Sequence, residues 1–209
     1  MNHVVLLGDS VFDNARYVPG NPPVIEQLRQ QLPRGWQATL LAIDGDVTRG
    51  VASQLTRLPA DTTHLVVSAG GNDALSHSHV LYEPAQSVAA VLERFATIRE
   101  GFRSDFRNML QAVLQRRKRA AVCTIYDAVP GLDRMSVTAL SLFNDIILKE
   151  AFDTAIPVID LRMVCNKPSD YSAISPIEPS ADGGDKIAKA IVHLLTNHDF
   201  QQPHSVIYA

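Results

Sequence analysis

The chain has 209 residues, of which 46% are hydrophobic and 20% are charged, so it can bury a full core and is most simply one domain. Its formal net charge of −3 gives no basis for binding nucleic acid or an acidic membrane, because both partners attract an excess of positive charge. The two cysteines, Cys123 and Cys165, lie in apolar surroundings, which predicts buried free thiols rather than a disulfide framework.

No apolar run in the sequence approaches the length of a membrane span. The first apolar run begins at Val4, which leaves too few residues before it for a signal peptide. We therefore expect a cytoplasmic protein without a membrane partner.

In chain order, short aliphatic runs alternate with longer amphipathic stretches. Five of these runs are short enough to be strands buried on both faces, at residues 4–7, 38–43, 64–69, 120–125 and 156–161. Apolar residues at helical spacing predict helices over 24–32, 46–55, 136–152 and 184–195, and two further helices between 88 and 114, with Asp46 as a candidate N-cap.

Strands that alternate with helices predict a five-stranded parallel sheet in a three-layer α/β sandwich. We expect the flavodoxin-like strand order 2-1-3-4-5, which places the end of the first strand at the switch point of the sheet. The domain is expected to span residues 1–197, and residues 198–209 form a C-terminal tail that is either disordered or docked on a partner chain.

The first aliphatic run ends abruptly in Gly8, Asp9 and Ser10. This serine follows the carboxyl end of a strand, the edge of an open α/β sheet where ligands bind. Glycine at position 8 permits the sharp turn that would lift the Ser10 hydroxyl out of the sheet. Ser10 is therefore a candidate nucleophile.

A serine nucleophile needs a base, and it needs donors that hold the oxyanion of the tetrahedral intermediate. Three donors follow strands that would be neighbours: the backbone N–H of Ser10, the backbone N–H of Gly45 and the side-chain amide of Asn72. Each signal is weak alone, because glycine and asparagine are ordinary loop residues. Their coincidence on three successive strand ends predicts a shared site.

These residues carry a family resemblance. Gly8-Asp9-Ser10, Gly45, Gly71-Asn72-Asp73 and a block before the last helix resemble the four sequence blocks of the SGNH (GDSL-type) hydrolases, across nearly the whole chain. The resemblance implies a flavodoxin-like fold, no required cofactor, and activity as an esterase, lipase, thioesterase or carbohydrate deacetylase. It also implies that Ser10 is the nucleophile and that Ser10, Gly45 and Asn72 form the oxyanion hole.

The last block departs from the family pattern, which has an aspartate, two intervening residues and a histidine. This chain has Ser175-Pro176-Ile177-Glu178 instead, and the residues downstream, 183–188, fit the family register well. Glu178 thus stands at the histidine position and is the candidate base, although a free glutamate is about 2 pKa units less basic than a histidine. His77 and His79, which follow the Asn72 loop, are the best alternative bases.

Three functions stay open at this point. The first is a hydrolase of an ester, thioester or related acyl bond, acting on a small acyl or carbohydrate ester through Ser10 and an atypical base. The second is an inactive or weakly active binding protein, and the third is a metal-dependent enzyme that uses the acids at the predicted edge, Asp9, Asp46, Asp73 and Glu178. The substrate stays open, because loops 11–21, 74–84 and 127–135 are neither clearly apolar nor clearly sugar-binding, and so does assembly into a homo-oligomer.

Overall fold

The computed structural model describes residues 2–202 and 204–209. In those residues, six strands form one sheet: β1 (Asn2–Gly8), β2 (Trp36–Leu40), β3 (His64–Ser68), β4 (Arg119–Cys123), β5 (Val158–Ile159) and β6 (Ile207–Tyr208). All neighbours pair in parallel, in the order β2-β1-β3-β4-β5-β6. The predicted fold class and the order of the first five strands are confirmed.

The predicted number of strands was one too low. The extra strand, β6, comes from the C-terminal segment and adds to the free edge of β5. Val158 N–H donates to the carbonyl of Val206 at 2.9 Å, and Asp160 N–H donates to the carbonyl of Tyr208 at 2.8 Å. A strand of two residues is too short to show a hydrophobic period, which is why the sequence pattern did not predict it.

Helices cover both faces of the sheet. They are α1 (Val24–Gln31), α2 (Val51–Gln54), α3 (Gly71–Ser76), α4 (Val88–Leu114), α5 (Arg134–Asp153), α6 (Leu161–Val164) and α7 (Ala181–Asn197). Helices α1 and α7 pack on the face reached by Val4 and Leu6, and α2, α4 and α5 pack on the face reached by Val5 and Leu7. All four of these β1 side chains are fully buried, which explains the unbroken aliphatic run.

Two helical predictions were wrong. Residues 88–114 form one helix of 27 residues, because the segment contains Gly101 but no proline, and one glycine lowers helix stability by only about 1 kcal/mol. The stretch 46–55 is not one helix capped by Asp46: α2 is a single turn between two short 3-10 turns, and the Asp46 carboxylate binds Val47 N–H and the Gln54 side chain instead.

Among the described residues, no helix combines the length and the apolar character that crossing a membrane requires.

Candidate active site

Ser10 lies in a sharp turn at the carboxyl end of β1. Gly8 has φ of 122°, and a Cβ at this position would collide with the carbonyl oxygen of Ser68 on β3, so only glycine fits. Asp9 N–H donates to that same carbonyl at 3.1 Å, and Phe12 N–H donates back to the carbonyl of Asp9 at 3.2 Å. The turn leaves Ser10 buried, with 6% of its surface exposed, in the wall of a cavity.

The Gly45 loop and the Asn72 turn are tied together beside Ser10. Asn72 Nδ2 donates to the carbonyl of Asp46 at 2.8 Å, and Asp73 Oδ2 accepts bonds of 2.9 Å from both the N–H and the hydroxyl of Thr48. An amide nitrogen carries two protons, so the bond to Asp46 orients Asn72 and leaves its second N–H for a ligand. Asn72 and Ser10 line the same cavity, whereas Gly45 is not one of its lining residues and is joined to Asn72 only through its neighbour Asp46.

The backbone donors of this region are free. Gly45 has φ of 81° in a tight turn after β2, closed by the bond from Asp46 N–H to the carbonyl of Ile43 at 3.0 Å. Within residues 2–202 and 204–209, the N–H groups of Ser10 and Gly45 donate to no protein acceptor. Unpaired backbone donors at a buried serine are what the binding of a developing oxyanion requires.

The segment that carries Glu178 is anchored on several sides. Glu178 N–H donates to the carbonyl of Ser175 at 3.0 Å and Ser172 N–H donates to the carbonyl of Glu178 at 2.8 Å. The Tyr126 hydroxyl donates to the carbonyl of Ile177 at 2.6 Å, and Asn14 Nδ2 donates to the carbonyl of Pro179 at 3.2 Å. These contacts hold the Glu178 side chain in the cavity wall, with 5% of the residue exposed.

The electrostatics of Glu178 differ from those of an ordinary surface glutamate. Its Oε2 atom is buried and has no hydrogen-bond partner among the described residues. Burial raises the pKa of Glu178 to about 7, Asp44 adds to the rise, and the nearby Ser10 hydroxyl opposes it. The Ser10 hydroxyl and the Glu178 carboxyl are neighbours, but their contact does not meet the geometry of a standard hydrogen bond.

Asp9 is a second buried carboxyl with a raised pKa. Burial raises the pKa of Asp9 to about 8; the bond from Val11 N–H, 3.1 Å long, opposes this rise, and the charges of Glu178 and Asp73 add to it. A neutral Asp9 does not repel a Glu178 carboxylate, so a protonated Asp9 favours the ionised form of Glu178.

The cavity beside Ser10 has a volume of about 140 Å³ and is mainly apolar. Its apolar lining comes from α3, the turn after it, α4, the 125–132 loop and α5, and includes Leu75, Leu81, Phe95, Ile98, Ile125, Leu132, Leu140 and Phe143. The composition of the predicted loops 11–21, 74–84 and 127–135 gave no sign of this pocket. Apolar residues of α4 and α5 at helical spacing look like core residues, and only the packing of the two helices shows that part of their stripe faces a cavity.

The sequence matches the model of the GDSL-like lipase/acylhydrolase family over residues 6–186. The chain belongs to this family. The resemblance seen in the sequence blocks is thereby confirmed, and a comparison with curated proteins found no match.

Solved structures show that this GDSL-family chain shares its fold with several esterases and lipases. An extracellular lipase from Streptomyces rimosus is 20% identical, with a TM-score of 0.66 over 95% of this chain and 100% of that chain. A phospholipase A1 from Streptomyces albidoflavus is 19% identical, with a TM-score of 0.64 over 95% and 99%. An acetyl xylan esterase variant from Geobacillus stearothermophilus is 14% identical, with a TM-score of 0.65 over 92% and 93%.

The histidines of this GDSL-family chain are mostly remote from Ser10. His3 and His64 are buried at the amino edge of the sheet, and His193 and His198 pack around Tyr208 near the C-terminus. His79 is exposed, and its Nδ1 lies 3.1 Å from the carbonyl of Ser76. Of the histidines in the described part of the chain, His77 alone lines the cavity, so it is the rival to Glu178 as a base.

The acids at the carboxyl edge are not arranged for a metal. Asp46 binds Gln54 Nε2 at 2.7 Å and Asp73 binds Thr48, so these carboxylates are already engaged by the protein. Across residues 2–202 and 204–209, no three side chains of His, Cys, Asp or Glu are grouped so that they would hold a metal ion. The geometry does not support the metal-dependent interpretation.

Proposed function

We propose that the chain hydrolyses acyl esters, with Ser10 as the nucleophile and Glu178 as its general base. The observation that carries this proposal is the buried Glu178 carboxyl beside Ser10, with an unpartnered oxygen and a pKa of about 7. A buried polar atom without a partner destabilises the fold by about 1–3 kcal/mol, and what distinguishes Glu178 is that its unpartnered oxygen belongs to a carboxyl next to the Ser10 hydroxyl, whose proton it can accept.

In the first half of the reaction, Ser10 Oγ attacks the ester carbonyl carbon while its proton passes to the Glu178 carboxylate. The carbonyl oxygen becomes an oxyanion, which the N–H groups of Ser10 and Gly45 and the Asn72 amide stabilise. Collapse of this intermediate breaks the bond to the alcohol, and the protonated Glu178 returns its proton to the leaving oxygen. An acyl-Ser10 ester is left on the enzyme.

In the second half, Glu178 removes a proton from water, which attacks the acyl carbonyl through an oxyanion held by the same donors. The acid product leaves and Ser10 regains its proton. The raised pKa of Glu178 supports this role, because a base with a pKa near the working pH is both largely deprotonated and basic enough to take the proton.

The cavity supports an ester with an apolar acyl chain rather than a carbohydrate ester. Its lining is dominated by Leu, Ile and Phe side chains from α4 and α5, which would bury methylene groups at about 0.8 kcal/mol each. A lipase and a phospholipase A1 share this fold, as does an acetyl xylan esterase. The fold is thus compatible with both kinds of ester, and the apolar lining of the cavity is the feature that favours an apolar acyl ester over a carbohydrate ester.

Labelling with a fluorophosphonate probe tests the proposal directly. We expect the probe to modify Ser10 at pH 8, where Glu178 is ionised, as seen by mass spectrometry of the intact protein and of the Ser10 peptide. Ser10→Ala is the control and should stay unmodified. A wild-type protein that remains unlabelled and does not hydrolyse p-nitrophenyl esters between pH 5 and 9 would contradict the proposal and favour the binding-protein interpretation.

A further inference from the structure

Gln54 is a buried glutamine that lies outside the sequence blocks of the family resemblance. It is the last residue of α2 and none of its surface is exposed. Its Oε1 accepts from Gly8 N–H at 2.8 Å and its Nε2 donates to the Gly8 carbonyl at 2.7 Å. The side-chain amide thus binds both polar groups of one backbone residue, as a neighbouring strand would.

The pairing of β1 explains why Gln54 binds Gly8 in particular. Strand β2 pairs with β1 only as far as Leu40, which is opposite Leu6. Gly8 lies beyond the last pair, where the chain must turn to bring Ser10 into the cavity. The segment after β2 still reaches Gly8, because Ile43 N–H donates to the Gly8 carbonyl at 3.1 Å. It offers no acceptor for Gly8 N–H, and Gln54 Oε1 supplies that acceptor, without which the N–H would be unsatisfied and free to move.

Gln54 also contacts the loop that carries the second donor. Its Nε2 donates to Asp46 Oδ2 at 2.7 Å, and the carbonyl of the same Asp46 accepts from Asn72 at 2.8 Å. The Asp46 carboxylate passes so close to Gly50 that a Cβ on that residue would collide with it. The Gln54 side chain is therefore bonded both to the end of β1, which leads to Ser10, and to the loop that contains Gly45.

We propose that Gln54 is a positioning residue that sets the separation between Ser10 and the oxyanion donors at Gly45 and Asn72. The inference rests on the proposed function, in which those donors act together on one oxyanion. It goes beyond that function because Gln54 does not line the cavity and touches no substrate. A displacement of about 1 Å between catalytic groups lowers turnover by about 10²-fold.

Gln54→Glu is the most informative substitution because it keeps the shape of the side chain. A carboxylate at position 54 loses both bonds that Nε2 donates, and it faces the Asp46 carboxylate. We expect kcat to fall by about 10²-fold with little change in KM, since the bound substrate still fits the cavity. Protonation of the introduced carboxylate restores one donor, so the activity of the variant should decline above neutral pH, whereas the wild-type rate stays high there.

A second substitution tests the bond to Asp46. In Gln54→Glu with Asp46→Asn, the introduced amide at position 46 donates to the introduced carboxylate and reverses the original polarity. We expect kcat of the double variant to recover about tenfold over Gln54→Glu, and the decline at high pH to disappear. The matched control is Gln27→Glu, a buried glutamine on α1 whose Nε2 donates to the carbonyl of Ala181 at 2.8 Å. It should lose stability but keep the wild-type kcat and pH profile.

An amide NMR spectrum separates this inference from the proposed function. Gln54→Leu should shift the signals of the Gly8 and Gly45 N–H groups and of the Asn72 side-chain amide, even if the wild-type protein proves inactive. Unchanged Gly45 and Asn72 signals would overturn the positioning role. So would a Gln54→Glu variant that keeps wild-type kcat, or one whose loss is matched by Gln27→Glu.

Discussion

The two sides of Ser10 satisfy their polar groups in opposite ways. On one side, the Gly45 and Asn72 loops are joined by bonds of 2.8–2.9 Å that involve Asp46, Thr48 and Asp73. On the other side, backbone contacts anchor the segment around Glu178, yet Glu178 Oε2 is buried without a partner among the described residues.

This difference follows from what each side must do. A donor to an oxyanion acts best when all its other bonds are made, because it then points in one direction before the reaction begins. A general base needs a free lone pair, and a dry surrounding makes that lone pair more basic. The side of Gly45 and Asn72 is saturated in the bonds between its loops and leaves the N–H groups of Ser10 and Gly45 free, so it is suited to hold charge. The side of Glu178 is unsaturated at its carboxyl oxygen and is suited to take up a proton.

The largest loss of turnover should come from replacing Glu178, the carboxyl of the unsaturated side. Glu178→Gln keeps the shape of the side chain but cannot accept a proton, so we expect turnover to fall by at least about 10⁴-fold with the fold retained. Steady-state hydrolysis of a p-nitrophenyl ester and a thermal melt measure the two properties. Glu150→Gln is the control: Glu150 is equally buried but paired with Arg103 and Arg107, so its change should affect stability and not turnover.

If Glu178→Gln retained full activity, Glu178 would not be the base. His77 lines the same cavity, and His77→Gln would then be the variant that loses turnover. A loss of turnover in His77→Gln, together with unchanged turnover in Glu178→Gln, would place the base at the end of α3, the helix that carries Asn72.

On the saturated side, the expected loss is smaller because three donors share the oxyanion. Asn72→Ala should lower kcat by about 10²–10³-fold and change KM little, since the amide acts mainly on the transition state. Measuring kcat and KM separately tests this statement. Equal losses in substrate binding and in turnover would show that Asn72 anchors the substrate instead.

The dependence of the hydrolysis rate on pH measures the basicity of the Glu178 carboxylate. Glu178 must be ionised to act, and its pKa is about 7, so the rate should rise about 10²-fold between pH 5 and 8 with a midpoint near pH 7. A midpoint near the ordinary glutamate value of about 4.3 would show that the site is wet rather than dry.

Stability should follow pH in the opposite direction. Asp9 and Glu178 have raised pKa values in the folded protein, so between about pH 4 and 8 these two groups bind more protons in the folded state than in the unfolded state. Their contribution to the free energy of unfolding therefore falls as pH rises through this range, and it is opposed below about pH 6.5 by His64, whose pKa burial lowers to about 4. Denaturant titrations of wild type and Glu178→Gln should show a weaker pH dependence in the variant.

How much of this site the sequence predicts depends on how far apart in the chain the interacting residues are. Gly8, Ser10 and the strand that precedes them are recognisable locally, because a buried strand and a sharp turn impose their own residue types. The network around Gln54 was not predictable, since the separation of 46 residues between Gly8 and Gln54 carries no sign that the two meet. The raised pKa of Glu178 likewise comes from burial by distant segments, which only the folded chain supplies.

The smallest expected effect on activity comes from changing the apolar lining of the cavity, which Ser10, Asn72 and Glu178 also line. Ala139 on α5 lines this cavity, and Ala139→Phe would fill part of its volume of about 140 Å³. For an octanoyl ester we expect kcat/KM to fall about tenfold, while an acetyl ester, whose single methyl group fills little of the cavity, keeps its rate. Thr138→Phe is the control, because Thr138 is the exposed neighbour of Ala139 on the same helix. An equal loss for both esters in Ala139→Phe, or a wild-type protein that prefers the acetyl ester, would show that the apolar cavity does not hold the acyl chain.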